Sequence, residues 1–293
     1  MRLLVLGRNG QVGGELQRAL APLGEVVALG RDGADLADAA GLRRAVEDAA
    51  ADVIVNAAAY TAVDKAESEP ELADRINHRA VGELGAMAAA RGALVVHYST
   101  DYVFDGSGSA PYREEYATGP RSVYGASKLA GERALAASGA RHLIVRTSWV
   151  HAGRGHNFIR TMLRLAGERD SLRVVADQVG APTSAELIAD VTATAIRAGL
   201  ADGVYHLAAS GQTSWHGLAQ FVIGEALALG APLRARPENV VAIATAEYPT
   251  PAARPANSRL DTTKVRQALG LVLPDWREGA RRSVRQLIEG AAA

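Results

Sequence analysis

The sequence predicts an α/β protein with a doubly wound parallel sheet and a smaller, loop-rich C-terminal domain. Three observations support this prediction: short apolar strands alternate with helices, a glycine-rich turn follows the first strand, and prolines accumulate towards the C-terminus. Short apolar strands separated by helices are typical of a parallel sheet that is covered on both faces. The 293 residues suffice for one large domain with a smaller companion.

The alternation of strand and helix continues from the first strand to about residue 209. Apolar runs predict strands, and the stretches between them with helical periodicity predict helices. We predict strands at residues 2–6, 25–30, 52–59, 93–100, 142–150, 172–178 and 203–209. We predict helices at residues 11–24, 39–50, 77–91, around Tyr124, 157–167 and 184–200. The last of these helices and the strand after it form one more unit of the main sheet.

The composition limits the classes of function. Lys+Arg and Asp+Glu both number 32, so no basic field indicates a nucleic-acid or membrane partner. The absence of cysteine excludes disulfides, thiol nucleophiles and thiolate metal sites. The N-terminal apolar run is too short for a signal peptide, and no later run is long enough for a membrane span. We expect a soluble, cytoplasmic protein, and a homodimer is a further expectation.

The stretch "GRNGQVG" joins the first strand to the first helix. Gly7, Gly10 and Gly13 allow a tight turn and a close backbone approach, and the helix N-terminus offers free N–H groups to a pyrophosphate. The alternative is an ordinary glycine-rich turn. The strand–turn–helix context favours a dinucleotide site, and with it a Rossmann-like fold.

The chain is expected to divide into two domains that each take segments from both halves. Residues 1–150 plus about 181–206 form the predicted dinucleotide-binding domain, and about 151–180 plus 207–293 form the predicted substrate-binding domain. Prolines at 232, 237, 249, 251, 255 and 274 interrupt the strand–helix pattern in the second of these. Such connections suit a loop-rich domain over the carboxyl edge of the sheet.

The tip of the second strand indicates which dinucleotide is bound. An NAD-selective site usually carries an acidic residue here, bonded to the ribose 2′-hydroxyl. This sequence has Gly30 and Arg31 at the tip and Arg8 within the glycine turn. Two guanidinium groups suit the 2′-phosphate of NADPH, although Asp32 leaves NADH open.

Two further segments are candidate cofactor contacts. Asp35 and Leu36 could bracket the adenine through a carboxylate contact and apolar packing. The alanines of "NAAAYT" at 56–61 would let backbone lie against the pyrophosphate and the nicotinamide ribose. Tight helix–sheet packing is the alternative use of such small residues.

A candidate proton-transfer set follows the fourth strand. The stretch "VYGASKLAGE" places Tyr124 and Lys128 on one helical face, and Ser99 and Thr100 end the preceding strand. Strand carboxyl ends surround the ligand crevice of a doubly wound sheet. A lysine charge would lower the tyrosine pKa towards working pH, and the hydroxyl would hold the substrate oxygen. On its own the pair could equally be two ordinary helix residues.

Together these motifs resemble the extended short-chain dehydrogenase/reductases, and within them the dTDP-4-dehydrorhamnose reductase family. The resemblance covers nearly the whole chain. The Tyr-x-x-x-Lys pair is shared across the superfamily, whereas "VDKAESEP", "DQVGAPT" and "RPANSRL" are more specific to the family. The other matching blocks are "GRNGQVGGELQRALAP", "VNAAAYTAVDKAESEP", "HYSTDYVFDG", "RTSWVHAGRGHNF", "YHLAASG", "YPTPAARPANSRL" and "LVLPDW".

The resemblance implies an oxidoreductase that transfers hydride from NADPH to C4 of dTDP-4-dehydro-L-rhamnose and forms dTDP-L-rhamnose. A reductase of another nucleotide-linked 4-keto-6-deoxy sugar is the near alternative. A non-catalytic NADP-binding regulatory subunit is the alternative from another class, and the complete Tyr/Lys/Thr set argues against it. An epimerase or dehydratase is disfavoured by the Gly30–Arg31 tip.

Position by position, the resemblance implies roles for individual residues. Tyr124 is the proton donor with Lys128 as its partner, Thr100 and Asp101 lie beside the sugar, and Trp149 contacts the substrate. The implied cofactor contacts are Gly10, Gln11, Val12, Asp35, Leu36, Ala59, Tyr60 and Thr61. The family commonly has an acidic residue in place of Gly30 and frequently a histidine in place of Tyr60.

Three other groups of candidate binding residues each allow two interpretations. By resemblance, Glu15 matches a carboxylate linked to Mg²⁺, although an exposed helix glutamate explains it equally. Arg254 and Arg259 of "RPANSRL" could bind a diphosphate or form structural salt bridges. His151 and His156 have no third ligand at a recognisable spacing, so no metal ligand is assigned.

Overall fold

A computed structural model describes residues 1–292. Its strands are β1 Arg2–Leu6, β2 Glu25–Leu29, β3 Val53–Asn56, β4 Leu94–Thr100, β5 Arg141–Thr147, β6 Val150–His151, β7 Leu172–Val175, β8 Val179–Gly180, β9 Thr183–Ser184, β10 Gly203–His206, β11 Thr213–Ser214 and β12 Val240–Ile243. Its helices are α1 Gln11–Leu20, α2 Ala39–Ala49, α3 Val63–Ala66, α4 Pro70–Asp74, α5 Ala80–Ala89, α6 Val123–Ala137, α7 Phe158–Glu168, α8 Ala185–Ala198, α9 Trp215–Ala228, α10 Thr263–Leu269 and α11 Trp276–Ala292. Among residues 1–292, none of these helices combines the length and the apolar character that a membrane crossing requires.

The central sheet has six parallel strands in the order β10-β5-β4-β3-β1-β2. The direction of winding reverses between β1 and β3, which opens a crevice outside their carboxyl ends. The predicted doubly wound, Rossmann-like sheet is therefore confirmed. The strand after α8 pairs with β5, as expected for a further unit of the main sheet.

Alternate strand residues bury their side chains on opposite faces of this sheet. Leu3, Val5, Val55 and Val96 join the core on the face covered by α1 and α8. Leu4 packs with α2 and α5 on the other face. Burial on both faces is why these strands read as continuous apolar runs.

A third apolar core lies under the C-terminal segments. It is formed by α7, α9 and α11 with β7 and β12, and Trp276 is buried within it. The short pairs β8–β11 and β6–β9 connect these segments to one another and to the chain that leaves β5. The loop-rich region predicted from the prolines thus has its own core.

The bounds of several predicted elements differ from the structure. The strands predicted at 52–59, 172–178 and 203–209 end at Asn56, Val175 and His206. The helix predicted from residue 77 begins at Pro70, because a proline fits the first turn of a helix, and it passes through a π-helical turn at Arg75–Arg79. The strand predicted to end at residue 150 stops at Thr147. Trp149 adopts a left-handed backbone conformation with φ of 50°, which interrupts the extended chain.

Candidate active site

The glycine turn packs its backbone against the segment that leaves β3. Gly7 has φ of 89°, and a Cβ on it would lie 2.8 Å from the Ala58 amide nitrogen. A Cβ on Gly13 would collide with the Gly7 carbonyl oxygen. Gly10 precedes the first residue of α1, so the unpaired N–H groups of the helix face the crevice. The turn therefore fits a dinucleotide pyrophosphate, and Gln11 and Val12 lie in the first turn above it.

The tip of β2 is crowded by polar side chains. The Arg8 guanidinium donates a 2.8 Å hydrogen bond to the Asp32 carboxylate beside Gly30. A Cβ at Gly30 would lie 2.6 Å from an Asp32 oxygen and 2.8 Å from the Asn9 amide. Arg31 is exposed and has no ion-pair partner within residues 1–292. The two arginines therefore flank the tip, with Arg8 already shared with an acidic neighbour.

The candidate adenine and ribose contacts differ in how deeply their side chains are buried. Asp35 is half-buried, whereas Leu36 is 4% exposed and belongs to the hydrophobic core. Ala59 and Tyr60 are half-buried at the exit of β3, and Thr61 is exposed. Leu36 thus contributes to packing, and the other four residues keep part of their surface exposed.

A buried asparagine fixes this exit loop to the helix that carries the tyrosine. Asn77 accepts a hydrogen bond from the Tyr60 amide at 2.9 Å and donates one to the Tyr60 carbonyl at 3.0 Å. It also donates to the Ser127 hydroxyl on α6 at 3.0 Å. The candidate cofactor loop and the candidate catalytic helix are therefore held in fixed register.

The structure brings Tyr124, Thr100 and Asp101 together at the carboxyl end of β4. Thr100 lies close enough to the Tyr124 hydroxyl to oppose the rise of its pKa, and Thr100 donates a 3.1 Å hydrogen bond to the Asp101 carboxylate. Burial raises the pKa of Tyr124 above its ordinary value. Burial also raises the pKa of Asp101 to about 6, against hydrogen bonds from Ser258 and Thr100. Tyr124 is therefore a protonated group that faces a hydroxyl residue.

Lys128 lies on the same helix but is not bonded to the tyrosine hydroxyl. Its Nζ donates a 2.6 Å hydrogen bond to the Tyr98 carbonyl and lies 3.2 Å from His97 Nε2. The side chain is only 2% exposed, and this burial lowers the pKa of Lys128 to about 8. We expected the lysine to lower the tyrosine pKa, but in the structure burial dominates and the pKa of Tyr124 is raised.

Several buried polar atoms at the carboxyl edge have no hydrogen-bond partner within the described residues. Thr100 and Thr147 are register partners on adjacent strands, so the ends of β4 and β5 lie side by side. The unpaired atoms there are Ser99 Oγ, Asp101 Oδ2, Thr147 Oγ1 and Ser148 Oγ. Buried polar groups are normally paired, so this cluster is suited to a polar ligand.

An aromatic platform lies next to this edge. The Trp149 and Trp215 rings stack with centroids 3.5 Å apart, and Phe158 packs on Trp215 at 4.6 Å. The Trp215 indole nitrogen donates a 3.1 Å hydrogen bond to Gln178. A Cβ on Gly180 would lie 2.6 Å from the Trp149 ring, so glycine is required there. The stack holds Trp149 in its strained backbone conformation.

The two arginines of "RPANSRL" have different environments. Arg254 forms a 2.6 Å ion pair with Asp64 and lies near Tyr102, whose ring packs edge-on against Tyr124. Its Nη1 is buried without a partner within residues 1–292. Arg259 instead bonds to Asn257 and to backbone and side-chain oxygens of neighbouring loops. Arg254 borders the site, and Arg259 is structural.

Glu15 does not fit a divalent cation. One of its oxygens accepts a 2.6 Å hydrogen bond from Arg154, and the other lies 3.4 Å from Arg18. Arg18 also pairs with Asp190 at 2.8 Å. No group of three or more histidine or acidic residues able to hold a metal occurs in the described part of the chain. The structure gives no support to the expectation that Glu15 binds Mg²⁺.

The two histidines of "HAGRGH" have different environments. His151 is buried against Ser283, while His156 is exposed.

We expect millimolar MgCl₂ to leave the thermal unfolding midpoint unchanged relative to NaCl at the same ionic strength. The reason is that two guanidinium groups already neutralise the Glu15 carboxylate. Differential scanning fluorimetry would measure the thermal unfolding midpoint, which rises when a ligand binds the native state. A rise specific to Mg²⁺ that Glu15→Gln abolishes would contradict this account.

Sequence reasoning missed several residues of this site. Asn56, Asn77 and His97 are buried polar side chains within apolar segments, which is a detectable signal because such groups require hydrogen-bond partners. Ser258 lies within the block "RPANSRL", where only the arginines were considered, and Trp215 comes from a segment in which nothing local marks a site.

The glycine turn at the switch point, with a tyrosine and a lysine one helical turn apart beside it, defines a dinucleotide-dependent oxidoreductase of the extended short-chain type. The model of the family described as RmlD substrate binding domain matches residues 1–289. The chain belongs to this family, and it is an NAD(P)H-dependent oxidoreductase of the dTDP-4-dehydrorhamnose reductase type.

Named relatives match over the full chain. The dTDP-4-dehydrorhamnose reductase of Escherichia coli K12 is 52% identical over 300 residues and covers 100% of both chains. The enzyme of the same name from Salmonella typhimurium is 51% identical and covers 98% of both chains.

Solved structures agree with the fold. A dTDP-4-dehydrorhamnose reductase from Clostridium acetobutylicum has 34% identity and a TM-score of 0.91, covering 98% of this chain and 99% of its own. The Bacillus anthracis reductase, solved in complex with NADP, has 34% identity and a TM-score of 0.89, covering 97% and 99%.

Proposed function

We propose that the protein reduces the C4 ketone of dTDP-4-dehydro-L-rhamnose to dTDP-L-rhamnose by hydride transfer from NADPH. The observation that carries the proposal is the grouping of Tyr124, Thr100 and Asp101 at the carboxyl edge of the sheet, the edge on which the glycine turn also lies. Relatives of this name match the whole chain at about half identity, which supports the substrate class.

Three residues of the chain have separate roles in the proposed reaction. NADPH, when bound, supplies the hydride that reduces the carbonyl carbon. Thr100 holds the carbonyl oxygen, and Tyr124 donates a proton to it as the alcohol forms. The phenolate that remains regains its proton from solvent, and Lys128, one helical turn away, is placed to stabilise it.

We propose that the predicted domain division describes which segments hold which ligand. Residues 1–150 and about 181–206 hold the dinucleotide, and about 151–180 and 207–293 hold the sugar nucleotide. The separate apolar core under α7, α9 and α11 supports this division. Trp149 provides an aromatic face, while Asp101 and Arg254 provide charged and hydrogen-bonding groups beside the reacting tyrosine.

We propose a preference for NADPH over NADH. A carboxylate side chain at position 30 would collide with the Arg8–Asp32 pair, which disfavours the usual acidic contact to a ribose 2′-hydroxyl. Arg31 has no ion-pair partner in the described chain and is available to a 2′-phosphate.

Replacing Arg31 with Ala should raise the KM for NADPH by about 10- to 100-fold and change the KM for NADH little, because a charge-assisted bond is worth about 1.5–3 kcal/mol. Initial rates with each cofactor measure the effect. Arg91→Ala, at the opposite edge of the sheet, is the matched control and should change neither value. Wild-type protein that prefers NADH tenfold would disprove the cofactor assignment.

Replacing Arg254 with Ala should raise the KM for the sugar nucleotide by about 10-fold or more and leave the KM for NADPH unchanged, because the residue belongs to the segments that we propose hold the sugar nucleotide. Arg254→Lys keeps the charge beside Asp64 and should recover part of the loss. A large loss of NADPH affinity in the alanine variant would place this residue in the other binding site.

The test of the proposed function is a substrate comparison with the purified protein. NADPH oxidation is followed at the nicotinamide absorbance with dTDP-4-dehydro-L-rhamnose and, separately, with other nucleotide-linked 4-keto-6-deoxy sugars. We expect the highest kcat/KM for the dTDP-L-rhamnose precursor. A higher value for another ketosugar would reassign the substrate, and no oxidation with any of them would favour a non-catalytic NADP-binding subunit.

The cellular location and the oligomeric state of the protein stay predictions. One is the cytoplasmic location, which cell fractionation tests. The other is the homodimer, which sedimentation equilibrium tests.

A further inference from the structure

The Asp64 carboxylate, which belongs to α3, binds two positions of the C-terminal part of the chain. Its Oδ2 accepts a 2.6 Å hydrogen bond from Arg254 Nη2, and its Oδ1 accepts a 3.2 Å bond from the backbone amide of Ala252. These partners follow Asp64 by 190 and 188 residues. One carboxylate therefore holds both the backbone and the arginine side chain of a single distant segment.

The position of Asp64 is itself fixed relative to the helix that carries the candidate proton donor. Just after α3, Glu67 Oε1 accepts a 2.9 Å hydrogen bond from the backbone amide of Val123, the first residue of α6. Glu69 accepts a 2.7 Å bond from the Tyr60 hydroxyl in the candidate cofactor loop. The segment around α3 is thus tied both to the first turn of α6 and to the exit of β3.

The backbone that carries Arg254 has a second support, which does not involve Asp64. The Val179 amide of β8 donates a 2.8 Å hydrogen bond to the Ala256 carbonyl, and the Ser258 amide donates one of 2.8 Å to the Val179 carbonyl. The Arg254 side chain has no such second support, because Asp64 is its only acidic partner within residues 1–292. Loss of the Asp64 carboxylate should therefore release the side chain and leave the segment in place.

Arg254 keeps one guanidinium nitrogen for a ligand. Its Nη2 bonds to Asp64, whereas its Nη1 is buried without a hydrogen-bond partner in the described part of the chain. The guanidinium lies near Tyr102, whose ring centroid is 5.5 Å from that of Tyr124 in an edge-on arrangement. A long side chain loses rotamer freedom when it is fixed, so a partner that fixes it beforehand lowers the cost of binding a ligand.

We infer that Asp64 is a positioning residue that directs Arg254 Nη1 to an oxygen of the sugar ring rather than to the diphosphate. The inference rests on the proposed function, which places the reacting sugar beside Tyr124. Two observations favour the sugar: the guanidinium lies one aromatic ring away from Tyr124, and its pairing with Asp64 leaves no net charge to attract a diphosphate.

Asp64→Asn keeps the side-chain shape and breaks one of the two bonds, because the new amide nitrogen must face either the Arg254 guanidinium or the Ala252 N–H. The KM for the sugar nucleotide should rise by about 5- to 10-fold, while kcat and the KM for NADPH stay within about twofold. The inhibition constant of dTDP, which lacks the sugar, should not change. General disruption of α6 would instead lower kcat, because it would displace Tyr124.

The Arg75–Glu83 ion pair is the matched control. Its side chains are 19% and 36% exposed, against 20% and 42% for Arg254 and Asp64. Glu83→Gln should leave the KM for the sugar nucleotide unchanged. Asp64→Glu keeps the charge but moves the carboxylate by one methylene, so this KM should rise by only about 2- to 5-fold, which keeps the test decisive if Asp64→Asn does not fold.

A double variant shows whether Asp64 acts through Arg254. If it does, Asp64→Asn combined with Arg254→Ala should have the same KM for the sugar nucleotide as Arg254→Ala alone, within about twofold. Independent effects would multiply in the double variant, and that result would overturn the inference.

Crystal structures of the wild type and of Asp64→Asn, both without substrate, test the inference apart from the proposed reaction. The Arg254 guanidinium should leave its place beside Tyr102 in this variant and keep it in Glu83→Gln. A guanidinium that stays in place in Asp64→Asn would overturn the inference even if the enzyme reduces the sugar. A dTDP inhibition constant that rises together with the KM for the sugar nucleotide would do the same, because it would assign Arg254 to the diphosphate.

Discussion

Replacing Tyr124 with Phe is expected to lower kcat by about 10²- to 10⁴-fold, because general acid catalysis contributes a factor of that size. The change removes one oxygen and little volume, so folding, NADPH binding and the KM for the sugar nucleotide should change little. Steady-state kinetics with a parallel titration of NADPH would measure this. The loss comes from the Tyr124 hydroxyl group, which lies near Thr100 at the carboxyl end of β4.

The pH dependence provides the control for this prediction. Burial raises the pKa of Tyr124 above the ordinary value near 10, so the tyrosine remains protonated across the neutral range. Wild-type kcat should therefore not decline between about pH 6 and 9 through loss of this proton. Tyr102→Phe, which removes a neighbouring hydroxyl, should keep most of the rate. If Tyr124→Phe also keeps most of it, the tyrosine has only a structural role.

Replacing Glu132 with Gln is expected to destabilise the protein by about 3–5 kcal/mol, because it leaves the buried Arg146 without its counter-charge. The two side chains are each only 5% exposed and form bonds of 2.9 and 2.6 Å. The pair ties α6, which carries Tyr124 and Lys128, to β5. The unfolding midpoint should fall by roughly 10 °C for a chain of this size.

A double variant separates the buried charge from the packing. Glu132→Leu combined with Arg146→Met removes both charges and keeps apolar volume, so it should recover most of the lost stability. Urea denaturation of the single and double variants gives the free energies of unfolding. A single variant that loses less than about 1 kcal/mol would show that the pair is not the main tie between α6 and β5.

The central sheet could be predicted from sequence because its signals are local. Parallel strands buried on both faces are continuous apolar runs, and the glycines after β1 mark the turn that their backbone contacts require. The end of β5 could not be predicted, because Trp149 adopts its conformation through stacking on Trp215, which follows it by many residues. The start of the helix at Pro70 had a local signal in the proline itself.

The sequence predicted which residues meet at the site more accurately than their pKa shifts and hydrogen-bond partners. Tyr124, Thr100 and Asp101 meet at the strand end where the motifs placed them. The pKa direction of Tyr124 was wrong for this structure, because the position of Lys128 Nζ depends on the Tyr98 carbonyl and on His97. Spacing along one helix does not reveal partners on the neighbouring strand.

Leu36 and Glu15 show the same dependence on tertiary context. Leu36 is itself a candidate adenine contact from sequence, and its side chain belongs to the core beneath β1 and β2. By resemblance, Glu15 matches a carboxylate that is linked to Mg²⁺, yet in the structure Arg18 and Arg154 neutralise its charge. In each case residues distant in the chain decide what the side chain contacts.

The most direct test of the account uses NADPH deuterated at C4 of the nicotinamide, prepared separately in its two stereoisomeric forms. Each form is incubated with the protein and dTDP-4-dehydro-L-rhamnose, and the sugar is identified by NMR. We predict dTDP-L-rhamnose with deuterium at sugar C4 from one stereoisomer only, in an amount equal to the NADP⁺ formed. Product without deuterium at C4, or NADPH that is not consumed, would contradict the proposed reaction.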